Sequence, residues 1–324
     1  MMNASAPRVT ISIVNWNTPE QTLACLQALQ TSTYPRSRIV VVDNASRDDS
    51  VARIRAVHPN IAIIANTRNA GYAGGHALAL QQAQNEQADA LWLLNADAAP
   101  EPDALAQLVA AWQRLGDAIY GGVVLRTRSD GVAMFDFPSK FLDPAATPST
   151  WRRDRNVVFD AAWAERAPLR VGAVSGAAFF VPLRVVERYG WMDTSWFMYC
   201  EEIDYCYRLR EHGVASWLVP QARIRHAGGG SAQGRADVSD ALQYYHARNE
   251  IALARRYGGR GTALRFALKK LVRGAATWPL RPRRARHILR GAWHGWLGID
   301  GARVAPDEWL PPTHPALSSS STEP

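Results

Sequence analysis

The chain has 324 residues, 47% hydrophobic and 20% charged, which provides core for one large domain or two small ones and argues against a disordered chain. Its three cysteines (Cys25, Cys200 and Cys206) are an odd set without metal-finger spacing, which argues against a disulfide framework and fits a reducing compartment. The net charge of +8 is uneven: twelve Lys and Arg lie between Ile251 and Ile299 with no Asp or Glu, so the rest of the chain is net acidic. A basic end on an acidic body points to an anionic surface as partner, membrane or nucleic acid. Residues 1–9 have no apolar signal-peptide core, and the longest uncharged apolar run, Val171–Leu183, is too short to span a bilayer. The expectation is a protein neither secreted by a classical signal nor integral to the membrane.

Strands and helices alternate over the first 125 residues. Val9–Val14 reads as a strand. Thr18-Pro19-Glu20-Gln21 reads as a capping box opening a helix with Leu23, Leu26 and Leu29 on one stripe. Ile39–Val42 is a second strand, and Ser46-Arg47-Asp48-Asp49 a second capping box before Val51, Ile54 and Val57. A third strand, Ile61–Ala65, is followed by a glycine-rich loop and a short helix. Ala90–Leu94 is a fourth strand, with a helix through Leu105–Leu115 after it. This rhythm implies a mostly parallel sheet covered on both faces. Residues 126–170 read as loop and short strands, Val171–Val181 as one apolar strand, Glu201–His212 as a helix, and Val214–Val219 and Arg223–His226 as two strands. The chain is helical and basic from about Asp237, and its last 20 residues, rich in Pro and Ser, read as disordered.

Open parallel sheets bind ligands at the carboxyl ends of their strands. Four polar groups sit there: Asn15-Trp16-Asn17, Asp43-Asn44, Arg68-Asn69-Ala70-Gly71 and Asn95-Ala96-Asp97. One Asp after a strand is more often a helix cap than a ligand; four such ends on one rim point to a site. The run Asn69–Gly75 lacks the spacing of a dinucleotide fingerprint and follows the third strand, which disfavours a nicotinamide cofactor. In the helix from Glu201, Glu202 shares the apolar face of Tyr205, Cys206 and Leu209, whereas Glu201, Asp204, Arg208 and Glu211 share the other, with Asp204 and Arg208 spaced for an ion pair. Glu202 is therefore the expected inward carboxylate, its pKa raised by desolvation toward useful base values, or else a plain helix cap. His226 ends a strand before a Gly228–Gly230 turn and is a candidate metal ligand or phosphate contact.

Taken in order, Ile13–Asn17, Val42–Ser46, Asn69–Gly75, Leu93–Asp97, Ser175–Ala177, Glu201–Asp204 and His226 resemble the family 2 inverting glycosyltransferases, rhamnosyltransferase-like subgroup, over roughly residues 9–259. Arg248-Asn249 also looks like a stretch common after the catalytic domain there. The resemblance implies a GT-A fold in the α/β class: a Rossmann-like nucleotide-binding half (about 9–125) joined to an acceptor-binding half (126–259). A basic amphipathic helical segment (260–304) and a tail (305–324) follow. It implies that Asp43, with Asn15 and Asn17, contacts a pyrimidine base, and that Asn69, Gly71 and Asn95 line the donor site. Asp97 and His226 would hold Mg²⁺ or Mn²⁺, and the second acid of the pair, Glu202, would be the base, with Glu201 the alternative. Asp204 and Arg208 would stand behind them. The implied partners are a nucleotide-diphosphate sugar, dTDP- or UDP-linked, and a glycan or lipid-linked acceptor. Departures from the family pattern are a single carboxylate in Asn95-Ala96-Asp97, Glu rather than Asp at 202, and His76 where Asn is frequent.

Two other enzyme classes, a nucleotidyltransferase or an epimerase, suit such a sheet; the former would want a basic glycine-rich loop at the first strand, which is absent. A third possibility is an inactive scaffold, against which the retained Asp43, Asp97, Glu202 and His226 argue. The non-enzyme alternative is a nucleic-acid-binding protein using the basic segment with Trp278, Trp293 and Trp296; with no such motif and an acidic body, nucleic acid is not the expected partner. Leu264, Ala267, Leu268, Leu271 and Ala275 form one helical stripe beside Arg265, Lys269 and Arg273. Leu289, Ala292, Trp293 and Trp296 form a second beside Arg286 and Arg290. Such stripes suit helices lying on an anionic membrane, here the cytoplasmic face of the plasma membrane, or packing on the enzyme's own core.

Overall fold

A computed structural model describes residues 6–136, 139–151, 157–226 and 236–304. The Gly228–Gly230 turn and the tail from residue 305 lie outside them. The first strands and helices follow in alternation: β1 (Val9–Asn15), α1 (Pro19–Leu29), β2 (Ser37–Asp43), α2 (Ser50–Val57), β3 (Ala62–Ala65), α3 (Gly71–Asn85), β4 (Ala90–Asn95), β5 (Ala98–Pro100) and α4 (Ala104–Leu115). Then come β6 (Ile119–Thr127), β7 (Ala133–Phe135), α5 (Ala161–Ala164), β8 (Leu169–Val171), β9 (Ala178–Pro182), α6 (Leu183–Tyr189), α7 (Glu201–Glu211) and β10 (Ser216–His226). Two long helices close the described chain, α8 (Ala236–Thr277) and α9 (Pro282–Leu297).

One sheet runs through the molecule in the order β3-β2-β1-β4-β9-β6-β10-β5, with β7 on β6 and β8 on β10. Strands β3, β2, β1 and β4 are parallel, β9 is antiparallel to β4 and β6, and β10 is again parallel to β6. Alternate side chains enter opposite layers: Leu91 and Leu93 face one apolar cluster, Trp92 and Leu94 the other. Strand order reverses between β1 and β4, and the carboxyl ends of these two open onto the crevice where ligands of such sheets bind.

Several expectations need correction. The glycine-rich run is no separate loop: it is the first turn of α3, a helix of 15 residues. Thr18 donates to Asn15 Oδ1 instead of capping α1, and Ser46 binds strand ends because α2 begins only at Ser50. The apolar run 171–181 breaks at Ser175-Gly176, where the chain turns toward the crevice between β8 and β9. The two strands read around Pro220 are one, β10, whose register against β6 jumps between Val219 and Arg223. A bulge absorbs the proline, which cannot donate to a ladder. Helix α8 turns at Gly259 (φ +75°), and both its halves share an apolar cluster with α9: Ile251 and Ala254 before the turn, Ala263 and Ala267 after it, and Ala292 of α9.

Candidate active site

The crevice is a cavity of about 350 Å³, walled by Trp16, Asn44, Asn69, Gly71, Tyr72, His76, Asn95, Asp97, Ser175, Gly176, Tyr199, Glu201, Glu202 and His226, among others. The structure thus brings together Asn69, Gly71, Asn95, Asp97, both acids of the pair and His226. Asn15, Asn17 and Asp43 stand just outside its lining. Buried Asp43 accepts Asn15 Nδ2 at 2.8 Å and the Ser46 amide at 3.0 Å, one bond on each oxygen, leaving acceptor capacity on both. Asn17 has φ +53° and accepts the Arg47 amide at 2.7 Å. Asn44 is the link that sequence reading left unassigned. Its Nδ2 donates to Asn69 Oδ1 (2.9 Å) and Gly71 O (3.0 Å), and its Oδ1 accepts the Ala70 amide (3.0 Å), tying β2 to the start of α3.

At the other end, β10 delivers His226 beside Asp97. Its Nε2 lies 3.0 Å from Asp97 Oδ1 and 3.3 Å from Asn95 Nδ2, and its Nδ1 lies 2.7 Å from Asp136 Oδ2. Burial lowers the imidazole pKa, but hydrogen bonds to Asp136 and Asp97 outweigh it and hold it up at about 9. Asp136 follows β7 in a stretch whose periodicity carries no signal; only the pairing of β7 on β6 places it. The pair of Asp97 and His226 suits a divalent cation. One hard oxygen and one imidazole nitrogen face each other at the cavity wall, and a carboxylate on the far ring nitrogen fixes the ring. Among the described residues no group of three or more such ligands forms.

The acid pair opens α7. Before it runs a loop in which three non-glycine residues are left-handed: Phe197 (φ +64°), Tyr199 (+70°) and Cys200 (+73°). Each costs on the order of 1–3 kcal/mol, and such conformations persist where the surroundings over-determine them. Gly71 of α3 also has positive φ (+73°) and lets Phe197 approach: a Cβ there would lie 2.0 Å from Phe197 O. The expected split of α7 into apolar and polar faces does not hold. Glu201 and Asp204 are buried at 3% and 1% exposure, while Glu202 is only partly enclosed at the cavity wall. Helix α8 covers the side expected to meet solvent. It also takes Asp204 from Arg208: Asp204 Oδ1 pairs with Arg256 Nη1 at 2.6 Å and accepts Tyr257 Oη at 2.9 Å. Arg208 instead donates to the Tyr189 and Trp191 carbonyls at 2.6 and 2.7 Å. Burial raises the Glu202 carboxyl to about 7 against the pull of the Glu202 and Ile203 amides. Burial and then Glu202 raise Glu201 well above the usual range, and its Oε2 has no hydrogen-bond partner among the described residues.

A mostly parallel sheet with helices on its faces and a cavity at its strand ends is the arrangement of a GT-A fold. Solved structures agree on the fold. A mannosyltransferase of Pyrobaculum calidifontis in complex with GDP-Man and Mn²⁺ superposes with a TM-score of 0.52 over 90% of this chain and 88% of its own, at 17% identity. GalNAc-T7 with UDP, GalNAc and Mn²⁺ gives 0.54 over 77% and 51%, at 15% identity. The model of glycosyl transferase family 2 matches residues 10–170, and the chain belongs to that family. Among curated relatives, an N-acetylglucosaminyl-diphospho-decaprenol L-rhamnosyltransferase of Mycobacterium tuberculosis is 26% identical over 269 residues, 75% of this chain and 83% of that protein. A low-salt glycan biosynthesis hexosyltransferase of Haloferax volcanii is 24% identical over 211 residues; the match spans 64% of this chain and 62% of that relative's length.

Proposed function

We propose that this protein is an inverting glycosyltransferase of cell-surface polysaccharide synthesis. It moves a sugar, rhamnose being the first candidate, from a dTDP- or UDP-linked donor to a glycan or lipid-linked glycan. One observation carries the reading: a cavity at the strand-order reversal is lined by Asp97, His226 and Glu202 together. In this reading Asp43, braced by Asn15, accepts from the pyrimidine ring, and Asn69, Gly71 and Asn95 line the donor. Asp97 and His226 are the residues that would hold Mg²⁺ or Mn²⁺. Such a cation neutralises charge on the departing nucleoside diphosphate. Glu202 takes the proton of an acceptor hydroxyl as that oxygen bonds to the anomeric carbon from the face opposite the phosphate. The carbon–oxygen bond to phosphate breaks with its electron pair going to the nucleoside diphosphate. Glu202 suits this role better than Glu201 because it is partly open to the cavity and titrates near neutrality. The lipid-linked acceptor is supported by the name of the mycobacterial relative. Family membership does not favour the nucleic-acid alternative.

The proposed location is the cytoplasmic face of the plasma membrane. No helix among the described residues is long and apolar enough to cross a membrane. The second half of α8, α9 and their connection leave Leu264, Leu268, Val272, Trp278, Leu280 and Trp293 exposed among Arg and Lys. The test of function is a donor panel with purified protein and Mg²⁺ or Mn²⁺. It scores nucleoside diphosphate release and the anomeric configuration of the product; a retained configuration refutes the mechanism.

A further inference from the structure

The left-handed loop before the acid pair is held from outside itself. Each carbonyl from Ser195 to Tyr199 accepts a hydrogen bond from a distant part of the chain. Gly301 N donates to Ser195 O at 2.8 Å, Arg248 Nη2 to Trp196 O at 2.6 Å, and Tyr72 N to Phe197 O at 2.8 Å. Asn249 Nδ2 reaches Met198 O at 2.7 Å, Tyr199 O at 2.8 Å and Trp196 O at 3.1 Å. Arg248 Nε donates to Asn249 Oδ1 at 2.6 Å, which settles which end of the amide faces the loop. Arg248 and Asn249 are buried at 2% and 0% exposure, and neither lines the cavity. A buried amide that gives its nitrogen to three carbonyls of one strained loop, beside a buried guanidinium that gives Nη2 to that loop, Nε to the amide and Nη1 to the Gly301 carbonyl, forms a clamp.

We infer that Arg248 and Asn249 are positioning residues: through the carbonyls of residues 196, 198 and 199 they set the place and direction of the acid pair that opens α7. The proposal rests on the glycosyltransferase reading, for which Glu202 is the base. Its physical basis is the steep dependence of proton transfer and attack on placement, where an error near 1 Å costs on the order of a hundredfold in rate. Without the clamp the loop relaxes from its left-handed conformations, and the carboxylates at its end move with it.

The test uses the full chain and the donor accepted by the wild type. In Asn249→Ala the expected result is a kcat lower by roughly ten- to a hundredfold, with donor KM and nucleoside diphosphate affinity within about threefold of wild type. The pH midpoint of kcat should also move, because the carboxylates change surroundings. Backbone hydrogen exchange should quicken over residues 197–203 and not over β1 or β2. Asn249→Asp keeps the size but turns an oxygen toward three carbonyl oxygens, and Arg248→Lys keeps the charge but loses the fork. These two decide the matter should the alanine variant not fold. Lost kcat in either, with nucleotide binding intact, supports the clamp. Wild-type kcat in both, or a kcat that falls only in step with the folded fraction, overturns it. If the wild-type chain releases no nucleoside diphosphate from any donor, the glycosyltransferase reading fails on its own account, and unchanged exchange over 197–203 in the variants then overturns the clamp.

Discussion

At the scale of single residues, the acid pair yields predictions both for rate and for stability. Glu202→Gln keeps the shape and removes proton acceptance, so kcat should fall by about a hundred- to ten-thousandfold with nucleotide affinity unchanged; Glu201→Gln should do less. A larger loss in the Glu201 variant, measured side by side, assigns the base to Glu201. A base must be deprotonated to act, so wild-type kcat should rise with pH through a midpoint near 7. The same raised pKa costs stability. Above the unfolded value of 4.5 the folded carboxyl resists ionisation, so stability is full at low pH and declines as pH rises through about 7. Glu202→Gln should thus melt higher than wild type at pH 8, by at most about 3 kcal/mol, and show no such gain at pH 4. Thermal melts at the two pH values check this without any substrate. In the same cavity, Asp97→Ala should lose at least about a hundredfold in turnover, and a chelator should abolish it; full activity in excess EDTA refutes the cation role.

Among the elements, α3 and α7 meet where Gly71 lets Phe197 O approach. Gly71→Ala faces both an unfavourable positive φ and a backbone atom at 2.0 Å, so it should cost at least about 2 kcal/mol and most of the turnover. A melt within a degree of wild type counts against that contact. The α8–α9 packing is as close: a Cβ at Gly295 would lie 2.5 Å from Arg248 O, and one at Gly291 2.3 Å from Tyr244 O. Cutting the chain after Gly259 would remove α9 and with it Gly301 and Val304, which brace Ser195 and Tyr245. Such a truncation should lose turnover altogether; one that retains it shows the brace to be dispensable. The alternation of strands and helices up to α4 was legible in the sequence because apolar periodicity and strand-end polar residues are local signals. So were Asn69, Asn95 and Asp97 as residues of one rim, whereas His226 was joined to Asp97 only through the family resemblance. Asp136 and the partner of Asp204 were not, since a periodicity reports which face of an element is apolar and not which distant element covers it. Helix α7 shows this most plainly: its apparent solvent face lies under α8, and the ion pair expected within the helix forms between helices instead.

For the whole molecule, charge and exposure specify how it would sit on a surface. Not every basic residue is available. Buried Lys270 pairs with Glu250 at 2.7 Å, and Arg256 is spent on Asp204. The expected stripe from Leu264 to Ala275 also divides, with Ala267 turned into the helix packing and Leu264, Leu268 and Leu271 outward. An exposed band carries Arg260, Arg265, Lys269, Arg273, Arg281 and Arg286, Arg265 also donating to the Pro148 and Ser149 carbonyls and Arg273 to Gln243 Oε1, with Trp278 (48% exposed) and Leu280 (88%) in the turn between the helices. At on the order of 1 kcal/mol per cation near an anionic leaflet, these suffice for reversible attachment. The full chain should co-sediment with anionic vesicles at low salt, release at high salt and ignore neutral ones. Charge-reversing Arg265, Lys269 and Arg273 should weaken it; failure to bind anionic vesicles at low salt refutes the surface. The brace on the acid loop also imposes a timetable on synthesis. The acids emerge from the ribosome roughly a hundred residues before Gly301 and Val304, an interval of about 5–20 s at ordinary elongation rates. For the first half of that interval the loop lacks Arg248 and Asn249, and to its end it lacks Gly301, so the full set of braces is complete only after the helices that present the basic band have been made.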